Sequence, residues 1–66
     1  MFHEVIRRFE EIHSREAVKI IITREGEEYP KGTHLHPGDK VAVPGPVAVS
    51  FFGRGACHLD PSEPPP

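Results

Sequence analysis

The chain has 66 residues, a net charge of −2 and a single cysteine, with 36 % hydrophobic and 27 % charged residues. Domains cluster near roughly 100 to 150 residues, so this length holds one domain and excludes a multidomain enzyme. The lone Cys57 excludes an internal disulfide framework. A domain this small sits near the limit of stability unless a metal or a partner subunit supports it.

Composition also limits the possible location of the protein and the classes of partner that it can bind. The longest apolar runs contain three residues, too few to span a membrane. The first residues lack the basic start and apolar block of a signal peptide, so we expect a cytoplasmic protein. No block is strongly basic, which argues against binding to nucleic acid.

The first predicted element is an amphipathic helix over residues 2–16. Its apolar positions recur three and four residues apart and form one stripe: Phe2, Val5, Ile6, Phe9 and Ile12. The opposite side carries acids and bases four residues apart, which is typical of a solvated face.

From Ala17 the period changes to two and predicts strands. Val18, Ile20 and Ile22 share one face of the first strand, which spans 18–23. The Gly26 turn leads into a short return through Glu28 and Tyr29. Further strands are predicted over 33–36, 40–43, 47–52 and 56–59, separated by glycine and proline turns.

Short connections favour antiparallel pairing between chain neighbours. The predicted fold class is therefore α+β, with the helix packed on a curled antiparallel meander of about five strands, barrel-like or sandwich-like. Residues 1–59 form the single domain, and the proline-rich residues 60–66 form a tail expected to be disordered.

Strand 47–52 is predicted to be apolar on both faces. Val47, Val49 and Phe51 share one face, and Ala48 and Phe52 lie on the other. One helix covers only one face of a small sheet, so we expect the sheet to curl and a second copy to cover the remaining apolar patch. A closed monomeric barrel, or a groove for a different protein, would also hide these side chains.

A second group of residues has metal-ligand chemistry. His34 and His36 lie two residues apart, which places them on one face of a strand, and either Cys57 or His58 could supply a third ligand. Three such ligands would make an open Zn or Fe site. Ordinary exposed histidines beside a small buried cysteine are the alternative.

Catalysis has little support in the sequence. Cys57 lies in an apolar strand, which raises a thiol pKa and makes the sulfur inert. Ser50 would need a base and an orienting acid beside it. We therefore expect no enzymatic activity.

Two segments resemble known families. Residues 37–45 resemble the second conserved motif of cupin β-barrels, in which Gly-Asp is followed after four residues by proline; cupins then carry a metal-binding histidine, where this chain has residues 47–50. Residues 35–41 with 45–49 are similar to the SH3-like barrels of iron-transport accessory proteins and metal-dependent repressors. Residues 22–24 resemble ring-forming tryptophan-responsive RNA-binding attenuators. These resemblances imply a small antiparallel β-fold.

The sequence thus predicts a non-enzymatic adaptor that forms a homo-oligomer and binds a protein partner. Its predicted interface comprises Val47, Val49, Phe51 and Phe52, with Tyr29, Arg24 and Arg54 at the rim. The alternative is an oligomeric metal or small-ligand binder that uses His34, His36 and Cys57 or His58. An RNA-binding ring is the third hypothesis.

Overall fold

The computed structural model describes residues 2–62, with only the backbone of Phe2. Met1 and residues 63–66 of the predicted tail lie outside the described residues. The elements are α1 (Phe2–His13), β1 (Val18–Ile22), β2 (Glu27–Glu28), β3 (His34–Leu35), β4 (Lys40–Val43), α2 (Gly45–Gly53) and β5 (Cys57–Leu59). The chain is α+β with antiparallel sheets, as predicted.

Strand β1 is the centre of a three-stranded antiparallel sheet in the order β4-β1-β5. Val18, Ile20 and Ile22 point to one face and are at most 1 % exposed, which confirms the period-two pattern. The register places Val43 opposite Val18 and Cys57 opposite Ile22 on the same face. This inner face carries the core.

The predicted meander is wrong. Strand β2 pairs with β3 in a separate two-stranded sheet rather than with β1, and neither sheet closes into a barrel within residues 2–62. Glu27, Glu28 and His34 supply most of that small sheet, whereas β4 places Val41 and Val43 opposite β1. Because pairing apolar strands buries more apolar surface, β1 lies between β4 and β5.

The predicted strand 47–52 is also wrong, because these residues form most of helix α2. Gly45, Ala48 and Phe51 are its buried residues, three apart, so they form one stripe on a helix. Pro46 lies in the first turn, where the missing N–H leaves no helical hydrogen bond unmade. The two apolar faces of the predicted strand are the sides of one short, mostly apolar helix.

A Schellman motif ends α2. The N–H of Ala56 donates to the carbonyl of Phe51, and the N–H of Gly55 donates to the carbonyl of Phe52, each at 3.0 Å. Gly55 has a φ of +67°, the left-handed conformation that this motif needs. The turn predicted at residues 53–55 is therefore the end of a helix.

Helix α2 packs on the inner face of the sheet against β1 and β5, and α1 packs against α2. Helix α1 ends at His13, three residues before the predicted bound. The buried apolar residues are Ile12, Val18, Ile20, Ile22, Leu35, Val43, Ala48, Phe51, Ala56 and Cys57. They form one cluster, in which Phe51 of α2 is the largest fully buried side chain.

Gly45 allows the two helices to approach each other. Its N–H donates to the carbonyl of Arg15 at 3.0 Å. A Cβ added at Gly45 would collide with the carbonyl oxygen of Ile12 and lie 2.6 Å from that of His13. Both atoms belong to the backbone, which cannot move aside as a flexible side chain can.

We expect Gly45→Ala to destabilise the fold by about 1–3 kcal/mol, because the added methyl forces the helices apart. Gly53→Ala is the matched control in the same helix: nothing lies within 4 Å of its added Cβ. Loss of glycine flexibility should leave that control unchanged or more stable by up to about 1 kcal/mol. Urea denaturation measures both, and a Gly45→Ala variant as stable as the parent would contradict the close approach.

Candidate interaction surface

The apolar stripe of α1 is only partly covered. Ile12 is 6 % exposed, whereas Phe9 is 40 %, Ile6 42 % and Val5 52 % exposed. Exposure therefore rises toward the N-terminal end of the helix. The sequence pattern identifies the stripe, and the structure leaves Val5, Ile6 and Phe9 partly exposed to solvent. Such a patch is the usual mark of an interaction site.

A groove of about 240 Å³ lies between α1, the end of α2 and β5. Its walls are formed by Val5, Arg8, Phe9, Ile12, Phe52 and Leu59. Phe9 and Phe52 meet edge to face, with ring centroids 6.5 Å apart. On the other side of Phe9, a recess of about 260 Å³ is bordered by Glu10, His13 and Val49. We call the exposed α1 stripe with the groove and recess the α1 face.

The predicted apolar interface residues lie in two different environments, the core and the surface. Phe51 is 2 % exposed and belongs to the core, so its predicted place at a surface is wrong. Val47, Val49 and Phe52 are half-buried on α2. Of these, Val49 and Phe52 border the α1 face. The prediction of a strand at residues 47–52 gave no indication that α1 contributes to this surface.

The predicted rim residues have roles inside the protein. Arg54 donates from Nη2 to Oε1 of Glu27 at 2.8 Å, and Nε of Arg24 lies 3.9 Å from Oε2 of the same carboxylate. The side chain of Glu27 is only 10 % exposed. Arg24 also donates to the carbonyl of Arg54 at 3.0 Å. Tyr29 is half-buried and packs against the core. The Glu27 pairs therefore tie β2 to the end of α2.

The predicted metal ligands do not converge. His34 Nδ1 lies 3.6 Å from Glu28 Oε2, and His36 Nδ1 lies 3.1 Å from Glu25 Oε1. All four of these side chains are exposed, on the β2–β3 hairpin or within two residues of its ends, whereas Cys57 and His58 belong to the other sheet. Among residues 2–62, no three His, Cys, Asp or Glu side chains are grouped to hold a metal ion.

Cys57 is buried, as its apolar strand predicts. Burial raises the pKa of its thiol to about 11; nearby Arg54 opposes this rise and Glu27 adds to it. His58, the next residue, is exposed and its Nδ1 lies 2.9 Å from the carbonyl oxygen of Leu59. The two side chains thus point to opposite sides of β5.

Comparison with known proteins assigns the chain to no family. No protein-family model matches it, and no curated protein or solved structure matches it significantly. Within the described part of the chain, no helix is long and apolar enough to cross a membrane. Function is therefore inferred from the surfaces themselves.

We expect Glu27→Gln to destabilise the fold by about 1–2 kcal/mol, because charge-assisted bonds to a mostly buried carboxylate are lost while the half-exposed Arg54 limits the effect. Glu28→Gln is the control on the same strand, since that side chain is 44 % exposed. It should change stability by less than about 0.5 kcal/mol. Equal losses in urea denaturation would show that the Glu27 pairs contribute nothing specific.

The Cys57 thiol should react with iodoacetamide about a hundredfold more slowly in the native protein than in the unfolded chain, because only the thiolate attacks. Since burial raises its pKa to about 11, the native rate should still be climbing at pH 10. Mass spectrometry of timed aliquots measures both effects. A native rate equal to the denatured rate at neutral pH would contradict this burial.

Proposed function

We propose that this protein is a non-enzymatic interaction module that self-associates through the α1 face. The observation that carries the proposal is the exposure of Val5, Ile6 and Phe9 beside an apolar groove. The predicted two-faced sheet no longer supports self-association, because residues 47–52 are helical. The α1 stripe, instead of that sheet, is the apolar surface that a second copy would cover.

The shape of this face supports a second copy as the molecule that covers it. The stripe of α1 forms a ridge, and the groove toward Phe52 and Leu59 lies directly beside it. A two-fold axis places the ridge of each copy against the groove of the other, since isologous interfaces use one patch twice. Residues of both signs flank the stripe, Arg8 on one side and Glu10 on the other, so the charges beside the stripe of one copy can face opposite charges of the second.

The amount of exposed apolar surface sets the expected affinity. Burying the exposed half of a large apolar side chain contributes about 1 kcal/mol, so Val5, Ile6 and Phe9 from two copies contribute roughly 6 kcal/mol. Association costs roughly 4–15 kcal/mol. The groove residues must supply the remainder, and we expect a dimer with a Kd in roughly the micromolar to millimolar range.

Two observations support the non-enzymatic part of the proposal. The Cys57 thiol is buried with a raised pKa, which keeps it protonated at neutral pH. The hydroxyl oxygen of Ser50 accepts a hydrogen bond from Arg54 Nη1 at 2.7 Å, so its partner is a permanent cation rather than a base.

Sedimentation equilibrium from about 5 μM to about 1 mM tests self-association across the expected range. The apparent mass should rise from 7.4 kDa toward twice that value as concentration increases. The double variant Val5→Ser/Ile6→Ser should weaken the dimer by at least about tenfold, because it removes exposed apolar surface and no core residue.

The matched control is Glu4→Ser/Arg7→Ser, which also places two serines in α1 and leaves the net charge unchanged. These residues lie on the opposite side of the helix from the stripe, so this control should associate as the parent does. A parent that stays monomeric at the highest concentration, or equal association of both variants, would refute the proposal.

A further inference from the structure

The outer face of the three-stranded sheet is open. Strand alternation directs Lys19 and Ile21 of β1, Lys40 and Ala42 of β4, and His58 of β5 away from the helices. Ile21 is half-buried and the other four are exposed. Both helices lie on the inner side, so this face points away from the α1 face.

The positive charges on this face are unpaired within residues 2–62. The register places Lys19 opposite Ala42 and Lys40 opposite Ile21, so the two lysines are diagonal neighbours with Cβ atoms about 7 Å apart. No carboxylate of the described residues lies within ion-pair distance of either ammonium group. Arg24 and Arg54, by contrast, are committed to Glu27.

A recess of about 310 Å³ lies beside these lysines. It is lined by Lys19, Lys40, Val41, Ala42 and Asp60. The Asp60 carboxylate already accepts from the N–H and the hydroxyl of Ser62, each at 2.9 Å. Those two bonds, helped by the lysines, hold the pKa of Asp60 below its usual value. Asp60 is therefore engaged in a local turn, and the two lysines remain able to bind carboxylates of another molecule.

The outer edge of β4 offers backbone hydrogen bonds as well. The N–H of Ile22 donates to the carbonyl of Asp39 at 2.9 Å, which marks a hydrogen-bonded pair at this end of the β1–β4 ladder. Such pairs alternate along an antiparallel ladder. The backbone groups of Val41 and Val43 therefore face β1, whereas those of Lys40 and Ala42 face outward, where another strand could pair with them.

We propose that the open sheet face and the β4 edge bind an extended acidic segment of a partner protein. A strand added beside β4 pairs with the backbone of Lys40 and Ala42 and places its acidic side chains next to Lys40, with Lys19 one strand further away across the small Ala42. Among the outward positions named above, His58 carries the one ring on which a base could stack, whereas binding of a single strand stacks successive bases on several rings. This favours a peptide over single-stranded nucleic acid.

The probe is a fluorescein-labelled octapeptide of alternating glutamate and valine, titrated in about 50 mM salt, where exposed charges are weakly screened. We expect saturable binding, with amide shift changes along β4 in a two-dimensional NMR spectrum. Lys40→Glu should weaken it by at least about tenfold. Lys31→Glu makes the same charge change at an exposed lysine in the β2–β3 turn and should have less than about a twofold effect.

A second variant tests the edge. Ala42→Pro removes an N–H that points outward and should abolish binding while circular dichroism and the melting transition stay close to those of the parent. No saturable peptide binding, equal affinity in Lys40→Glu and Lys31→Glu, or tighter binding of a thymidine dodecamer or inorganic phosphate at the same amides would overturn the proposal. This proposal does not rest on dimerisation: the Val5→Ser/Ile6→Ser variant should bind the peptide as the parent does.

Discussion

Helix α2 can lie on the inner face of the sheet only because its first residue has no side chain. Gly45 lets the backbone of α2 meet the carbonyl end of α1, where any Cβ would collide with two backbone oxygens. This contact directs the helix so that Ala48 and Phe51 face the sheet. Phe51 is then the largest fully buried side chain of the core.

The sequence correctly predicted the elements that are specified by the periodicity of their own residues. The alternation of Val18, Ile20 and Ile22 specifies a strand with one buried face, and the structure has it. Residues 47–52 contain β-branched and aromatic residues that suit a strand equally well. Their helical state follows from packing between distant segments, although Gly45, Ala48 and Phe51 already showed a spacing of three. Tertiary contacts overrode a weak local preference.

The order of the strands and the exposure of the α1 stripe were harder to predict, because both also depend on contacts between distant segments. Pairing of β1 with β4 and β5 depends on contacts between residues far apart in the chain, so turn positions alone misled the meander prediction. The α1 stripe was evident in the sequence, but which part of it would be covered depends on where α2 ends. Arg24 and Arg54 were predicted at the rim of an interface, whereas in the structure both pair with Glu27. Their partner, Glu27, was missed because a glutamate in a turn region usually faces water.

The helices and the open sheet face lie on opposite sides of one layer of strands. If two copies join through their helices, each remaining sheet face points outward from the pair. Such a dimer is bivalent, and a partner with two acidic segments on a suitable linker would engage the second site intramolecularly. Effective concentrations for short flexible linkers reach about the millimolar range, so two weak contacts could hold one partner firmly. The back-to-back arrangement would then let so small a protein bridge two partners or grip one partner at two points.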